Sequence, residues 1–105
     1  MSEHAVLVHL KLHKGAFGDA DEVEAVHSLS DRLSEAIEAH GVGEFDGDEF
    51  GEWQCTLYMY GPDAGALFEV IEPILRDSGC ARGGFVIKRH GEASDAEARE
   101  VRVDL

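Results

Sequence analysis

Nothing in the chain approaches the roughly 18 consecutive apolar positions that a membrane-spanning helix requires. The opening segment MSEHAVLVHLKLHK has no basic lead, no long apolar stretch and no small-residue cleavage site. No signal peptide is expected, and a cytoplasmic protein without membrane partners is. Cysteine is scarce: Cys55 and Cys80 form no C-x-x-C unit, so neither a zinc ribbon nor a thioredoxin-like redox pair is expected. Both read as reduced residues packed as small hydrophobes. Also missing are G-x-S-x-G, the P-loop, H-E-x-x-H and a G-x-G-x-x-G that opens a helix. CARGGFV holds two glycines but runs into a strand, which makes a poor phosphate cradle. No catalytic residue, cofactor or metal is therefore expected.

Positive charge is also thin, with nine Lys and Arg against 22 Asp and Glu, a net charge of −13 with neutral histidines. Such a surface repels phosphate backbones and excludes general nucleic-acid binding. It suits solubility, a salt-rich cytoplasm, or a basic protein partner. What is abundant is apolar material: 44% of the 105 residues are hydrophobic, enough for one core, and no repeat or linker divides the chain. A single domain over residues 1–105 is expected.

Ala5 to His13 alternates Val6, Val8, Leu10 and Leu12 against Leu7, His9, Lys11 and His13, the pattern of a half-buried strand. After a glycine-containing loop, Asp19 or Asp21 can cap a helix from Asp21 to His40. Its apolar positions recur every three or four residues, and Gly41 stops it. Gly43 to Tyr60 reads as two strands joined near Phe50 to Glu52, the second setting Trp53, Cys55, Leu57 and Met59 against Gln54, Thr56, Tyr58 and Tyr60. Asp63 can cap a second helix, in which Pro73 predicts a kink or restart near Glu69 to Pro73. Phe85 to His90 is a short strand. Residues 94–105 fit either a helical turn or a strand through Val101, Val103 and Leu105, and the strand is preferred. The order β-α-β-β-α-β with an extra C-terminal strand predicts an α+β, ferredoxin-like two-layer sandwich. Two helices would cover one face of an antiparallel sheet, with strands one and three central and strand two at an edge.

GEFDGDEFGEW, Gly43 to Trp53, resembles a calcium loop at first sight. An EF-hand requires oxygen ligands at positions 1, 3 and 5, glycine at 6 and glutamate at 12; neither Gly47 nor Gly51 gives that register. Read as a strand, the segment puts Glu44, Asp46 and Asp48 on one face and Phe45 on the other. Phe50 lies an odd number of residues from Phe45, so burying both rings demands a bulge, expected at Gly47.

If Val6 to Leu12 face the helices, the open sheet face collects His9, Lys11 and His13 with Thr56, Tyr58 and Tyr60. Glu44 and Asp46 would border it, with Lys88 or Arg89 adding positive charge. This is the expected binding surface. Histidine beside carboxylate is a usable acid-base pair. His9 and His13, about 13 Å apart along a strand, cannot share a metal. The two tyrosines resemble the base-stacking sheets of RNA-recognition domains, but CTLYMYGP lacks their basic, glycine-rich signature. Stiff amphipathic tyrosines favour burial by a second copy, so a homodimer is expected.

LYMYGPDAGALFEVIEPILRDSG, Leu57 to Gly79, resembles the strand, GPD turn and helix that begin ACT regulatory domains. The resemblance implies that Gly61, Pro62, Asp63 and Gly65 occupy a turn which in that family helps bind amino acids. There the unit opens the domain, whereas here it supplies strand three and helix two. The whole chain also resembles small ferredoxin-like proteins of bacteria with a YGPD turn after strand three, which implies a fold and no activity. Three functions follow as expectations. The first is a binding or regulatory module, homodimeric, acting through the open face on a small molecule or protein. The second is a small enzyme pairing His9 or His13 with Glu44 or Asp46. The third is an acidic adaptor for a basic protein.

Overall fold

Alternation makes β1 (His4–Lys11) a two-faced strand: Val6, Val8 and Leu10 are buried, and Leu7 and His9 are half-buried on the other side. In the computed structural model, which describes residues 3–105, β1 stops two residues before His13. The next amide, of Leu12, donates to the Trp53 carbonyl, and the chain then bends away. Helix α1 (Ala20–His40) begins at Asp19, whose carboxylate accepts the Glu22 N–H at 2.9 Å. It ends at Gly41, whose φ of 60° is the left-handed cap expected there. Val26, Leu29, Leu33 and Ile37 form its buried stripe.

The hairpin of β2 (Glu44–Gly51) and β3 (Gln54–Gly61) departs from expectation at its tip. Glu52 and Trp53 make the turn with φ of 55° and 65°, so Trp53 does not alternate into the core and is 56% exposed. Two consecutive positive φ values match the twist of the flanking strands, but side chains are strained there. Helix α2 (Ala64–Asp77) is capped by Asp63, which accepts from the Gly65 and Ala66 amides. The expected restart at Pro73 is absent, because α2 runs through it as one helix. Glu69 and Pro73 are both exposed, so the carbonyl that loses its donor can turn to water.

After a single 3₁₀ turn at Gly79–Ala81 come β4 (Phe85–His90) and β5 (Arg99–Asp104). The tail is therefore a strand, as preferred. All neighbours in the sheet are antiparallel, in the order β2-β3-β1-β4-β5. This α+β arrangement differs from a plain four-stranded βαββαβ sheet, since β5 takes the edge that β4 would hold. Between sheet and helices lies the core of Val6, Val8, Leu10, Leu29, Leu33, Ile37, Leu57, Met59, Leu67, Ile71 and Val86. Leu33, Leu57 and Leu67 are each 0% exposed, and truncating any of them to alanine costs about 3–5 kcal/mol.

The bulge is present. The β2–β3 register shifts between Phe45 and Gly47, leaving Asp46 without a partner, while Phe45 faces Met59 and Phe50 faces Cys55. Both rings pack against the core. Gly47, at φ 157°, supplies the backbone geometry, with nothing within 4 Å of where a Cβ would stand.

Candidate functional site: the open sheet face

Strand pairing fixes which side chains share the face away from the helices. Glu49, Thr56, His9, Phe85 and Asp104 are successive partners across the five strands. A second row runs Gly47, Tyr58, Leu7, Ile87 and Arg102. A third runs Glu44, Tyr60, Ala5, Arg89 and Glu100. The centre of the face is thus aromatic and aliphatic, and its two edge strands are charged. Leu7, Tyr58, Tyr60, Phe85 and Ile87 are all half-buried.

His9 is the best-organised polar group of this surface. Its Nδ1 lies 3.3 Å from the Thr56 hydroxyl, and its ring stacks on Phe85 at 4.6 Å and 15°. The Arg102 guanidinium sits 3.9 Å from the same Phe85 ring. Burial first, and the Arg102 charge second, hold the His9 imidazole below its ordinary value of 6.5, so the neutral ring is favoured. Partial burial, with Glu49 and Tyr60 nearby, raises the Tyr58 phenol.

The structure brings together His9, Thr56, Tyr58 and Tyr60, with Glu44 at the border on β2, as the alternation of β1 and β3 implied. It separates others. Lys11 keeps the side of His9 but stands exposed at the end of β1, opposite Gln54, whereas His13 lies beyond the strand, its amide donating to the Glu22 carboxylate at 2.8 Å. Asp46 is the unpaired bulge residue, so it does not sit in a row with Glu44. The shift also moves Asp48 to the helix side, where its carboxylate is 3.6 Å from His27 of α1, and brings Glu49 to the open face instead. Lys88 faces the helices too, its ammonium 4.9 Å from the Phe68 ring; Arg89 is the cation of this pair that shares the open face.

These placements weaken the acid-base arrangement. In its row His9 is separated from Glu49 by Thr56, two strand spacings or about 10 Å, too far for proton transfer without a bridging group. Among the described residues, no three His, Cys, Asp or Glu side chains converge as a metal site requires. Phe85, Ile87 and Arg102 were missed as members of the face, and Leu7, which alternation sets on that side, was left out of the expected binding surface. The signal for three of them was available, since Phe85, Ile87 and Arg89 share one parity of β4 and Leu7 shares that of His9. No helix among the described residues is long and apolar enough to cross a membrane. Compared with protein-family models, with curated proteins and with solved structures, the chain matches none.

Proposed function

We propose that this protein is a cytoplasmic binding or regulatory module that works as a homodimer through its open sheet face. The observation that carries the reading is the continuous row of Tyr58, Leu7 and Ile87, flanked by Tyr60 and Phe85, on a sheet surface with no helix over it among the described residues. A second copy is the occupant that the pattern suits. With a twofold axis along the central β1, β3 of one copy lies over β4 of the other and β2 over β5. Tyr58 then meets Ile87, Tyr60 meets Arg89, and Arg102 enters the space over Gly47, between Glu44 and Glu49. Two pairs of like charges, Glu49 over Asp104 and Glu44 over Glu100, fall at the rim, where solvent screens them.

Five strands about 4.8 Å apart, each exposing about 20 Å of length, give roughly 500 Å² per copy and roughly 1,000 Å² in all, the size of a weak interface, so a dimer of modest affinity is expected. A ferredoxin-like ancestry of the fold is supported by the succession β-α-β-β-α-β and by β3 and β1 lying side by side at the centre, with β5 an addition. The test is the mass in solution. Light scattering at about 0.5 mM is expected to give twice the 11.4 kDa chain mass. Leu7→Lys combined with Tyr58→Ala is expected to halve it with the circular dichroism spectrum unchanged. A wild-type monomer at that concentration, or a dimer indifferent to both substitutions, overturns the proposal.

A further inference from the structure

At the end of the sandwich where β1 leaves the sheet, a cavity of about 260 Å³ lies between the β1 exit, the first turns of α1 and the 3₁₀ turn. Its walls are unusual for a chain this acidic. Lys11, Lys14 and Arg82 line it, three of the nine Lys and Arg residues in the sequence. Elsewhere Arg32, Arg76 and Arg102 are held by carboxylates, while none of the three around the cavity has an ion-pair partner among the described residues. The floor is apolar: Leu12 and Val26 are buried there, beside Ala25. The Cys80 thiol, 3.1 Å from the Ser78 hydroxyl, belongs to the same wall.

Two acids also line the space, Asp21 and Glu22. Glu22 is committed to the fold, since its carboxylate accepts the amides of His13 and Lys14, both at 2.8 Å, and pins the segment carrying Lys14 against α1. Those bonds keep it ionised, its acidity raised chiefly by the His13 amide. Three cations against two carboxylates leave one net positive charge around an apolar pocket.

We infer that this cavity binds a small organic monoanion with a short apolar body, a medium-chain carboxylate by class. The head group would lie among Lys11, Lys14 and Arg82, and the body would rest on Leu12, Ala25 and Val26. The space, open to solvent on one side, has room for a chain of a few carbons, for which hexanoate is the probe. A single positive excess matches one negative charge, whereas a dianion brings a second charge against Asp21 and Glu22. The cavity lies apart from the aromatic centre of the sheet face and does not depend on how that face is used.

The probes are hexanoate, hexanol, acetate and adipate, added separately to ¹⁵N-labelled protein. Hexanoate is expected to move the amide signals of residues 11–14, 25–26 and 79–82 in a saturable way, and to slow alkylation of Cys80 by the neutral reagent N-ethylmaleimide. Cys55, buried and pushed up to about 12 by that burial, stays silent in the same assay. Hexanol, acetate and adipate are each expected to bind at least about fivefold more weakly, and Lys14→Gln with Arg82→Gln to weaken hexanoate about tenfold. Both substituted side chains are exposed, so the variant keeps its fold. Hexanol binding as tightly as hexanoate, an unaffected double variant, shifts centred elsewhere, or none up to about 10 mM would each overturn the inference.

Discussion

Deleting Asp46 removes the one residue of β2 that has no partner on β3. Phe45 and Phe50 are then separated by an even number of positions, so a regular strand can turn both rings inward without a bulge. Loss of one ordered residue lowers the entropic cost of folding by about 1 kcal/mol, and loss of the bulge's local hydrogen bonding offsets a similar amount. The net change in stability is expected to lie within about 1 kcal/mol of zero. Inserting one alanine after Asp46 also gives an even spacing, but Phe45 and Phe50 are then six positions apart against the four that separate their partners Met59 and Cys55. Phe50 therefore slides past Cys55 and out of its packing unless a larger bulge absorbs two residues. Full burial of a phenylalanine contributes about 1.5–3 kcal/mol, and Phe50 is half-buried and packed edge-on to His27 with 5.9 Å between ring centroids. A cost of about 1–2 kcal/mol is expected for the insertion, with the exposed His27–Asp48 pair adding little. Urea unfolding of the two variants measures the difference, and the His27–Phe50 nuclear Overhauser contact reports the register. If the deletion costs as much as the insertion, or loses that contact, the register argument is wrong.

The turn residue Glu52 holds a left-handed conformation with an exposed side chain, so Glu52→Asn is expected to raise stability by about 0.5–1 kcal/mol. Calorimetry should show the Tm rising by about 2–6 °C, and a fall would mean that Glu52 makes a contact worth more than its strain. His9 and His90 both have protonation disfavoured, each first by burial, His9 then by Arg102 and His90 by Arg99, His4 and Lys88. The unfolded chain therefore binds more protons than the folded one, so their contribution is full above pH 6.5 and is lost as pH falls from there through the folded values. Relative to wild type, the double variant His9→Gln, His90→Gln should flatten the urea midpoint between pH 7 and pH 5; identical slopes would refute this.

The helices and the central strands were legible because their signals are local. Asp19, Gly41 and Asp63 announce helix ends by capping chemistry, and the period-two pattern of Val6, Val8 and Leu10 needs only neighbouring residues to be read. The bulge was legible for a related reason, since two aromatics at odd spacing leave few alternatives. Trp53 was misplaced because its apolar character and its phase with Cys55 both favour the core. The pairing of Gly51 with Gln54 closes the hairpin in two residues and overrides that preference. The composition of the open face was only half visible. Parity groups Phe85, Ile87 and Arg89 on one side of β4, but which of them stands beside His9 depends on the Phe85–His9 register, a contact between distant segments. The cavity at the strand end was invisible for the same reason, since Lys11 and Arg82 come together only when the sheet and the 3₁₀ turn are assembled.

The central place of β1 also governs how the chain can reach this structure. Val8 pairs with Leu57 on one side and Val86 on the other, so the first strand synthesised gains its neighbours only after most of the chain exists. A nascent chain ending before β4 would hold α1 and the β2–β3 hairpin with one long flank of β1 unpaired, an edge apt to associate with other chains. Closing loops of that length before they are rewarded places the protein among the slower mixed α/β folders. The segment before Phe85 is therefore not a folding unit by itself, and β4, distant from β1 in the chain, is what commits it.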